Sequence, residues 1–508
     1  MTSPSTPTTD ASLAARARRG VLVISTAKVW FMLTGFLQPV LLTRALGREK
    51  YGVYAAVLST VSILNNVVVA GSIQSMSRSV TKYGSPAIRP GVSMHLALGL
   101  LLSGAFALLA PLVGETFLRD PGLPPLLRIA AIVSGMYCVY AALVGALNGA
   151  QRFVAQATLD MIFATMRTGL IVGGAFVTHT VGGPVAGFAA ASVAITLIAA
   201  PVVSRMVRES TALDLPAPAT FAREYAGFFA PVLLYQFALN LVLQSDVLIL
   251  QALASRKPMA TLDGVKALVG VYKSAQNFAF LPYQLLIAVT FVLFPVVSKA
   301  AAIGDLETAR TMLRGAMRFA LVLLGAMLAV LAGLPRGVLR VAYTAEFSGG
   351  ADALRALSIG QGFFSLSTLI LTVLLAAHRT LATTSLMVFT LACVTLGDVL
   401  SITLTPYGEP LLHALALGTA AGSALGTLAT GAYAQRVLGA FFPAKTALRA
   451  TLAAVVASLF GSLLPLHSKP AALLAAIAVG GVYVVALGLS GELSADDRAA
   501  VRKRFGKK

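Results

Sequence analysis

The sequence predicts an all-α, polytopic bundle of about fourteen transmembrane helices. Three observations lead there: the composition, the long apolar runs and the placement of the charges. The chain is 57% hydrophobic with a mean hydropathy of +0.84, and only 11% of its 508 residues are charged. A soluble domain carries roughly 25% charged residues to cover its surface. Here the apolar residues form unbroken runs instead of alternating with polar ones, and many runs reach the ~20 residues a helix needs to cross the hydrocarbon core.

The runs fall at 20–43, 52–76, 91–113, 125–148, 153–178, 184–207, 223–250, 266–296, 315–334, 353–377, 382–403, 410–435, 446–466 and 470–490. Pro39, Pro231, Pro282 and Pro295 lie inside them. Membrane helices tolerate such breakers where neighbouring helices satisfy the freed backbone groups. The first run is too long for a signal-peptide core and has no clear small-residue cleavage site, so it is expected to stay.

A net charge of +20 raises the question of nucleic acid, but the basic residues sit between apolar runs or in the tail, so none is expected. With the N-terminus inside, cytoplasmic segments hold 24 Lys and Arg, outer segments hold 12, and Lys28, Arg167 and Lys273 lie within runs. That bias satisfies the positive-inside rule and places both termini in the cytoplasm. Cys138 and Cys393 both lie within runs, and His95, His378 and His413 lack metal-ligand spacing. Neither a disulfide, a metal site nor a cofactor is expected.

An internal repeat organises the chain. VLLTRALGREK at 40–50 resembles VLILQALASRK at 247–257, and Gly-Val-Tyr follows each, at 52–54 and 270–272. The offset grows from 207 to 218 residues, an insertion of eleven in the second copy. Each copy opens a set of six spans, an even number, so the repeats run parallel across the membrane and the binding site is expected at their interface. The expected organisation is a cytoplasmic N-tail at 1–19, a first lobe at 20–208, a Pro/Ala-rich linker at 209–222 and a second lobe at 223–437. The last two spans occupy 446–490, and a basic cytoplasmic tail occupies 491–508.

The string TRALGREKYGVY at 43–54 resembles the signature of Wzx-type polysaccharide-biosynthesis flippases, of the multidrug/oligosaccharidyl-lipid/polysaccharide exporter superfamily. Ser245-Asp246-Val247-Leu248-Ile249-Leu250, Val269-Gly270-Val271-Tyr272 and Phe294-Pro295-Val296-Val297-Ser298 agree with it in the second half. The last two spans carry no matching motif. The resemblance implies a two-lobed transporter in a bacterial inner membrane that flips a polyprenyl-diphosphate-linked glycan for cell-surface polysaccharide assembly. It also implies membrane lipids as surroundings and polysaccharide polymerase or export machinery as partners.

Such a substrate needs a hydrated, cationic cavity, because unpaired polar groups cost several kcal/mol in hydrocarbon. Ionisable residues within spans are costly and normally face the bundle interior. Here they are Lys28, Asp160, Arg167, Asp246, Lys273 and Asp398. Lys28, Arg167 and Lys273 are expected to converge on the substrate diphosphate. Gln236, Asn240 and Gln244, spaced by four on one helical face, and Asn277, one turn from Lys273, are expected to line the glycan path. Asp246 is the candidate for gating or coupling. The competing reading is structural, since Asn and Gln also bond across helices and Asp246 and Lys273 can neutralise each other.

An enzyme is not expected. The outer loops are short, the first holds one carboxylate, Glu49, and the only Gly-Lys pair is Gly506-Lys507, so no Walker A pattern exists. An ion-coupled drug or cation antiporter of the same superfamily is the main alternative, and a membrane enzyme of glycan assembly a distant third.

The charge asymmetry makes a prediction about topology. In a background lacking Cys138 and Cys393, cysteines at Ser210 and Lys508 are expected to react with membrane-impermeant thiol reagents only after the membrane is opened. Labelling of either site in intact cells contradicts the orientation or the span count.

Overall fold

The computed structural model describes residues 8–208, 215–303, 305–439, 441–464 and 468–492. The first seven residues, positions 209–214 of the expected linker, the tail from 493 onward and the Lys28 side chain lie outside the described residues. Among the described residues the fold is all-helical. The helices are α1 (Thr8–Tyr83), α2 (Ile88–Pro111), α3 (Leu123–Gly149), α4 (Phe153–Thr178), α5 (Gly182–Arg208), α6 (Pro218–Ala254) and α7 (Leu262–Ala279). They continue with α8 (Leu281–Ala302), α9 (Leu306–Gly333), α10 (Pro335–Ala342), α11 (Ala351–Ala376), α12 (Thr380–Leu404), α13 (Pro410–Leu438), α14 (Ala444–Ser462) and α15 (Lys469–Leu489). The chain divides into unit 1, Met1–Gln244, and unit 2, Ser245–Lys508, with the dividing point inside α6.

Twelve of these stretches are long and apolar enough to cross a membrane, and the chain is a multi-pass membrane protein. Two local features shape the expected spans. The first two expected spans are arms of one helix, α1, broken only at Gly47, whose φ of 70° and ψ of 176° lie outside helical space. Glycine enters that region without the steric penalty a Cβ imposes, so the chain turns there with little loss of hydrogen bonding. The expected span at 266–296 is built from two helices, α7 and α8. Pro282, second in α8, lacks an N–H and disfavours a helical residue before it. Lys266, Lys273, Gln276 and Asn277 make α7 too polar to face lipid.

In unit 1, α3 is the central helix, packed against α1, α2 and α5, while α4 packs on α1 and α5. In unit 2, α11 is central, against α7, α8, α9 and α13, while α12 packs on α13. These are the fourth span of each half, and each has 72% of its most apolar window buried, more than any other crossing. Apolar burial on all sides follows from sequences that are apolar on all sides. Close helix approach is secured by small residues, as between α12 and α13, where a Cβ on Gly397 would sit 2.6 Å from the Gly418 carbonyl oxygen.

The repeat reaches individual contacts. Lys50 and Lys257 occupy the same place in the two repeated segments. The Lys50 Nζ donates to the His179 carbonyl just past the end of α4 at 2.9 Å. The Lys257 Nζ donates to the Thr403 carbonyl in the last turn of α12 at 2.8 Å. Both lysines thus satisfy carbonyls left orphaned at a helix C-terminus and meet the negative end of its dipole.

The two helices without a counterpart in the repeat, α14 and α15, pack on each other and on α9. The Tyr483 hydroxyl donates to the Val322 carbonyl at 2.8 Å, fixing the middle of α15 against α9. Their other anchor is Glu492, only 5% exposed just beyond α15. Its Oε1 accepts from Arg318 Nε at 2.8 Å and Thr446 Oγ1 at 2.7 Å, and its Oε2 accepts from Arg449 Nη1 at 3.2 Å. One carboxylate therefore ties α9, α14 and the end of α15 together.

Burial opposes the Glu492 charge, but bonds from Thr446, Arg318 and Arg449 outweigh it and hold the carboxyl below the usual glutamate range. A depressed folded-state value means stabilisation that is present above the unfolded glutamate pKa and lost as pH falls through the folded one. Glu492→Gln is expected to cost roughly 1–3 kcal/mol at neutral pH, because charged hydrogen bonds become neutral ones around half-exposed arginines. Thermal unfolding in detergent should show that difference at pH 7 and its disappearance below the folded pKa. A difference that persists undiminished in acid contradicts the latch.

Candidate functional site

Unit 2 encloses a polar cluster where α6, α7, α12 and α13 present charged and hydroxyl groups to one another. Asp246 on α6 is 1% exposed, Lys273 on α7 is 6% and Asp398 on α12 is 0%. The Gln276 Nε2 donates to both Asp246 oxygens, at 2.8 and 2.7 Å, and its Oε1 accepts from Lys273 Nζ at 2.6 Å. The Tyr272 hydroxyl donates to Asp246 Oδ2 at 3.0 Å, and the Val247 N–H donates to Oδ1 at 2.8 Å. Lys273, Gln276 and Tyr272 reach one acid because α7 places residues three and four apart on one face.

The second acid completes the cluster. Asp398 Oδ1 accepts from the Thr419 hydroxyl at 2.8 Å, while its buried Oδ2 has no hydrogen-bond partner among the described residues. Asp246 and Asp398 are close enough that each charge acts on the other, and Tyr272 also interacts with Thr419. Two acids and one lysine therefore share a buried interior. A buried charge left uncompensated there costs several kcal/mol, so the arrangement suits the uptake and release of a proton or a small cation.

The repeat shows that this cluster is particular to unit 2. With the offsets 207 and 218, Asp246 corresponds to Pro39, Lys273 to Ala55 and Gln276 to Leu58. The tyrosine persists: Tyr54, the counterpart of Tyr272, accepts at its hydroxyl from Gln38 Nε2 at 3.1 Å. The shared tyrosine contact holds the first and second helices of each half together. The charges are added in one half only.

Unit 1 carries a different group. The Arg167 Cζ lies 4.6 Å from the Phe31 ring centroid and 5.9 Å from that of Phe163, so the guanidinium is stacked on aromatic faces. Tyr137 also touches it, and packs edge-on against Phe163 and Phe188 at 5.3 and 5.7 Å between centroids. Trp30 Nε1 donates to Thr165 Oγ1 at 3.0 Å, which holds the first arm of α1 beside Arg167 on α4. The Arg167 Nε is buried and has no hydrogen-bond partner among the described residues. An arginine held by flat faces, with donor capacity left over, is preorganised for a planar or tetrahedral anion.

The other residues singled out in the sequence are distributed as follows. Asn240 accepts from Asn66 Nδ2 at 2.9 Å and donates to the Gln236 carbonyl at 2.8 Å, an interhelical bond within unit 1. Gln236 and Gln244 are half-buried on the same helix. Asn277 Nδ2 donates to the Tyr343 hydroxyl at 3.3 Å. Asp160 accepts from the Tyr140 hydroxyl at 3.4 Å. Sequence reasoning missed Thr419 and the bridging role of Gln276. A lone threonine in an apolar helix gives no signal, whereas Asp398 in the middle of a span does.

The profile of the polysaccharide biosynthesis protein family matches residues 17–301. No curated protein matches the chain by sequence. Among solved structures, the lipid II flippase MurJ in an inward closed conformation is similar, with a TM-score of 0.72 at 16% identity over 92% of this chain and 98% of that one. An inward-facing multidrug resistance MATE family transporter of the MOP superfamily is similar with a TM-score of 0.65 at 14% identity, over 83% and 98%. A MOP superfamily transporter from Pyrococcus furiosus, described as having a binding pocket of reverse polarity, is similar at 0.55 and 13% identity, over 82% and 96%.

Proposed function

The chain belongs to the polysaccharide biosynthesis protein family, and from that premise we propose that it flips a polyprenyl-diphosphate-linked oligosaccharide from the cytoplasmic to the outer leaflet by alternating access. The observation that carries this reading is Arg167, a cation kept within a membrane-crossing helix, stacked on Phe31 and Phe163, with its Nε lacking a hydrogen-bond partner among the described residues. A diphosphate supplies the charge and the acceptors that such a group lacks. Lys28 and Lys273 are the further cations of this reading, and Gln236, Asn240, Gln244 and Asn277 its glycan-facing amides. The fold shared with a lipid II flippase supports the same class of cargo.

In this reading Asp246 couples transport to an ion. Its cluster pairs two buried acids with one lysine and is absent from the equivalent place in unit 1. With no Walker A pattern in the chain, the driving force is an ion gradient, the membrane potential or product consumption. The membrane is the bacterial inner membrane, with both termini cytoplasmic, and polymerase or export machinery takes the flipped glycan. The chain acts as a transporter, with no catalysed bond change.

One observation favours the alternative of a drug or cation antiporter: MATE transporters share the fold, and the unit 2 acids would suit a cationic cargo. Arg167 separates the two, since it repels a cation and attracts a diphosphate.

Removing the protein from its cell is expected to leave lipid-linked glycan on the cytoplasmic face, and the wild-type chain to restore its export. Arg167→Lys is expected to restore it partially, because the charge survives without the bidentate fork. Arg167→Ala is expected to lower the rate roughly tenfold or more at equal protein level. Full export with Arg167→Ala removes the diphosphate site from this account, and glycan correctly exported without the protein removes the flippase reading.

A further inference from the structure

A second polar site lies in unit 2, away from both groups described above. At the end of α9 remote from the Glu492 latch, α10, the 3-10 turn Ala345–Gly350 and the start of α11 meet the first residue of α13's cap and the end of α14. Together they line an open cavity of about 760 Å³. That volume lies within the ~300–1,000 Å³ range of small-molecule sites and is far larger than a bare ion requires. On the orientation predicted by the loop charges, this is the outer end of the molecule.

Its lining is built for an anion that also carries hydroxyls. Arg336 and Arg340 are four apart on α10, whose opposite face is buried through Pro335, Gly337, Leu339 and Ala342. The two guanidinium groups therefore both line the cavity from one side of α10. Arg355 adds a third cation. It is fixed in place, with its Nε donating to the Ala332 carbonyl at 2.9 Å and its Nη1 3.9 Å from Asp352 Oδ1. Asp352 and Glu409 leave the site with a net positive charge, and Thr344, Ser348 and Ser462 add hydroxyls.

Two glycines let the walls pack closely. A Cβ on Gly333 would fall 2.8 Å from Ser458 Cα, so α9 and α14 touch backbone to backbone beside the cavity. A Cβ on Gly349 would meet Glu409 Oε1 at 2.6 Å, which seats that carboxylate on the turn. The charges also run against topology. Arg336, Arg340 and Arg355 are three of the 12 Lys and Arg residues on the side the positive-inside rule depletes. Orientation signals therefore give no reason for the cluster, whereas a ligand does.

We infer that this cavity binds an acidic saccharide, with Arg336 and Arg340 clamping a carboxylate or phosphate on the sugar, while Asp352, Glu409 and the hydroxyls take its OH groups. The choice of a sugar over other anions rests on the flippase reading, which brings glycan to this end of the molecule. The site would hold the acidic portion of the glycan after it has crossed.

The test uses the full chain in detergent and measures binding of trigalacturonic acid, maltotriose and inorganic phosphate by calorimetry. The same chain is then tested in nanodiscs with and without phosphatidylglycerol. Trigalacturonic acid is expected to bind at least about tenfold more tightly than neutral maltotriose, and to weaken with salt. Arg336→Ala with Arg340→Ala is expected to weaken it about tenfold or more, and the paired Lys variants by less, at unchanged melting temperature. Equal binding of maltotriose, binding indifferent to the Ala pair, or displacement by phosphatidylglycerol or phosphate alone overturns the proposal. Binding needs no transport. Saccharide binding with no flipping leaves the pocket standing and removes the flippase reading, and flipping with no saccharide binding does the reverse.

Discussion

The carboxamide of Gln276 stands between a buried carboxylate and a buried ammonium, accepting from Lys273 and donating to both oxygens of Asp246. Buried as they are, these polar groups need hydrogen-bond partners. That requirement shapes much of unit 2. It keeps α7 polar and shielded from lipid, and it sets α7 beside α6. It also gathers Tyr272, Thr419 and Asp398 at the same place. The Asp398 Oδ2 is buried, with no hydrogen-bond partner among the described residues.

The two halves share a plan and differ in what they add to it. Equivalent lysines, Lys50 and Lys257, close off the ends of α4 and α12 in the same manner. Equivalent tyrosines, Tyr54 and Tyr272, each bond to the preceding helix of their half. Onto this frame unit 1 places an arginine among aromatic rings, and unit 2 places two acids and a lysine. The last two helices stand outside the plan and are held through Glu492 and Tyr483.

Most of the fold could be read from the apolar runs, because a membrane helix must supply its own length of hydrocarbon-compatible residues. The repeated strings also carry matching lysine contacts, at Lys50 and Lys257. What the runs did not disclose depends on backbone geometry. Gly47 turns α1 without ending its hydrogen bonding, and Pro282 with the polar face of α7 divides an expected crossing in two. For the site, Asp246, Lys273 and Arg167 stood out because charge inside a span is expensive. Their partners did not. Thr419, Phe31 and Tyr137 are ordinary residues in apolar helices, and Glu492 sat in what looked like a basic tail. Only the packing of distant segments gives such residues a role.

The central claim is that the acid cluster of unit 2 links glycan movement to an ion. Purified protein in proteoliposomes with polyprenyl-diphosphate-linked glycan permits the direct measurement: the flipping rate with and without an imposed proton or sodium gradient. The account predicts that one of these gradients accelerates flipping by the wild-type chain, and that Asp246→Asn removes the acceleration. A wild-type rate indifferent to both gradients, or an acceleration that survives Asp246→Asn combined with Asp398→Asn, contradicts it.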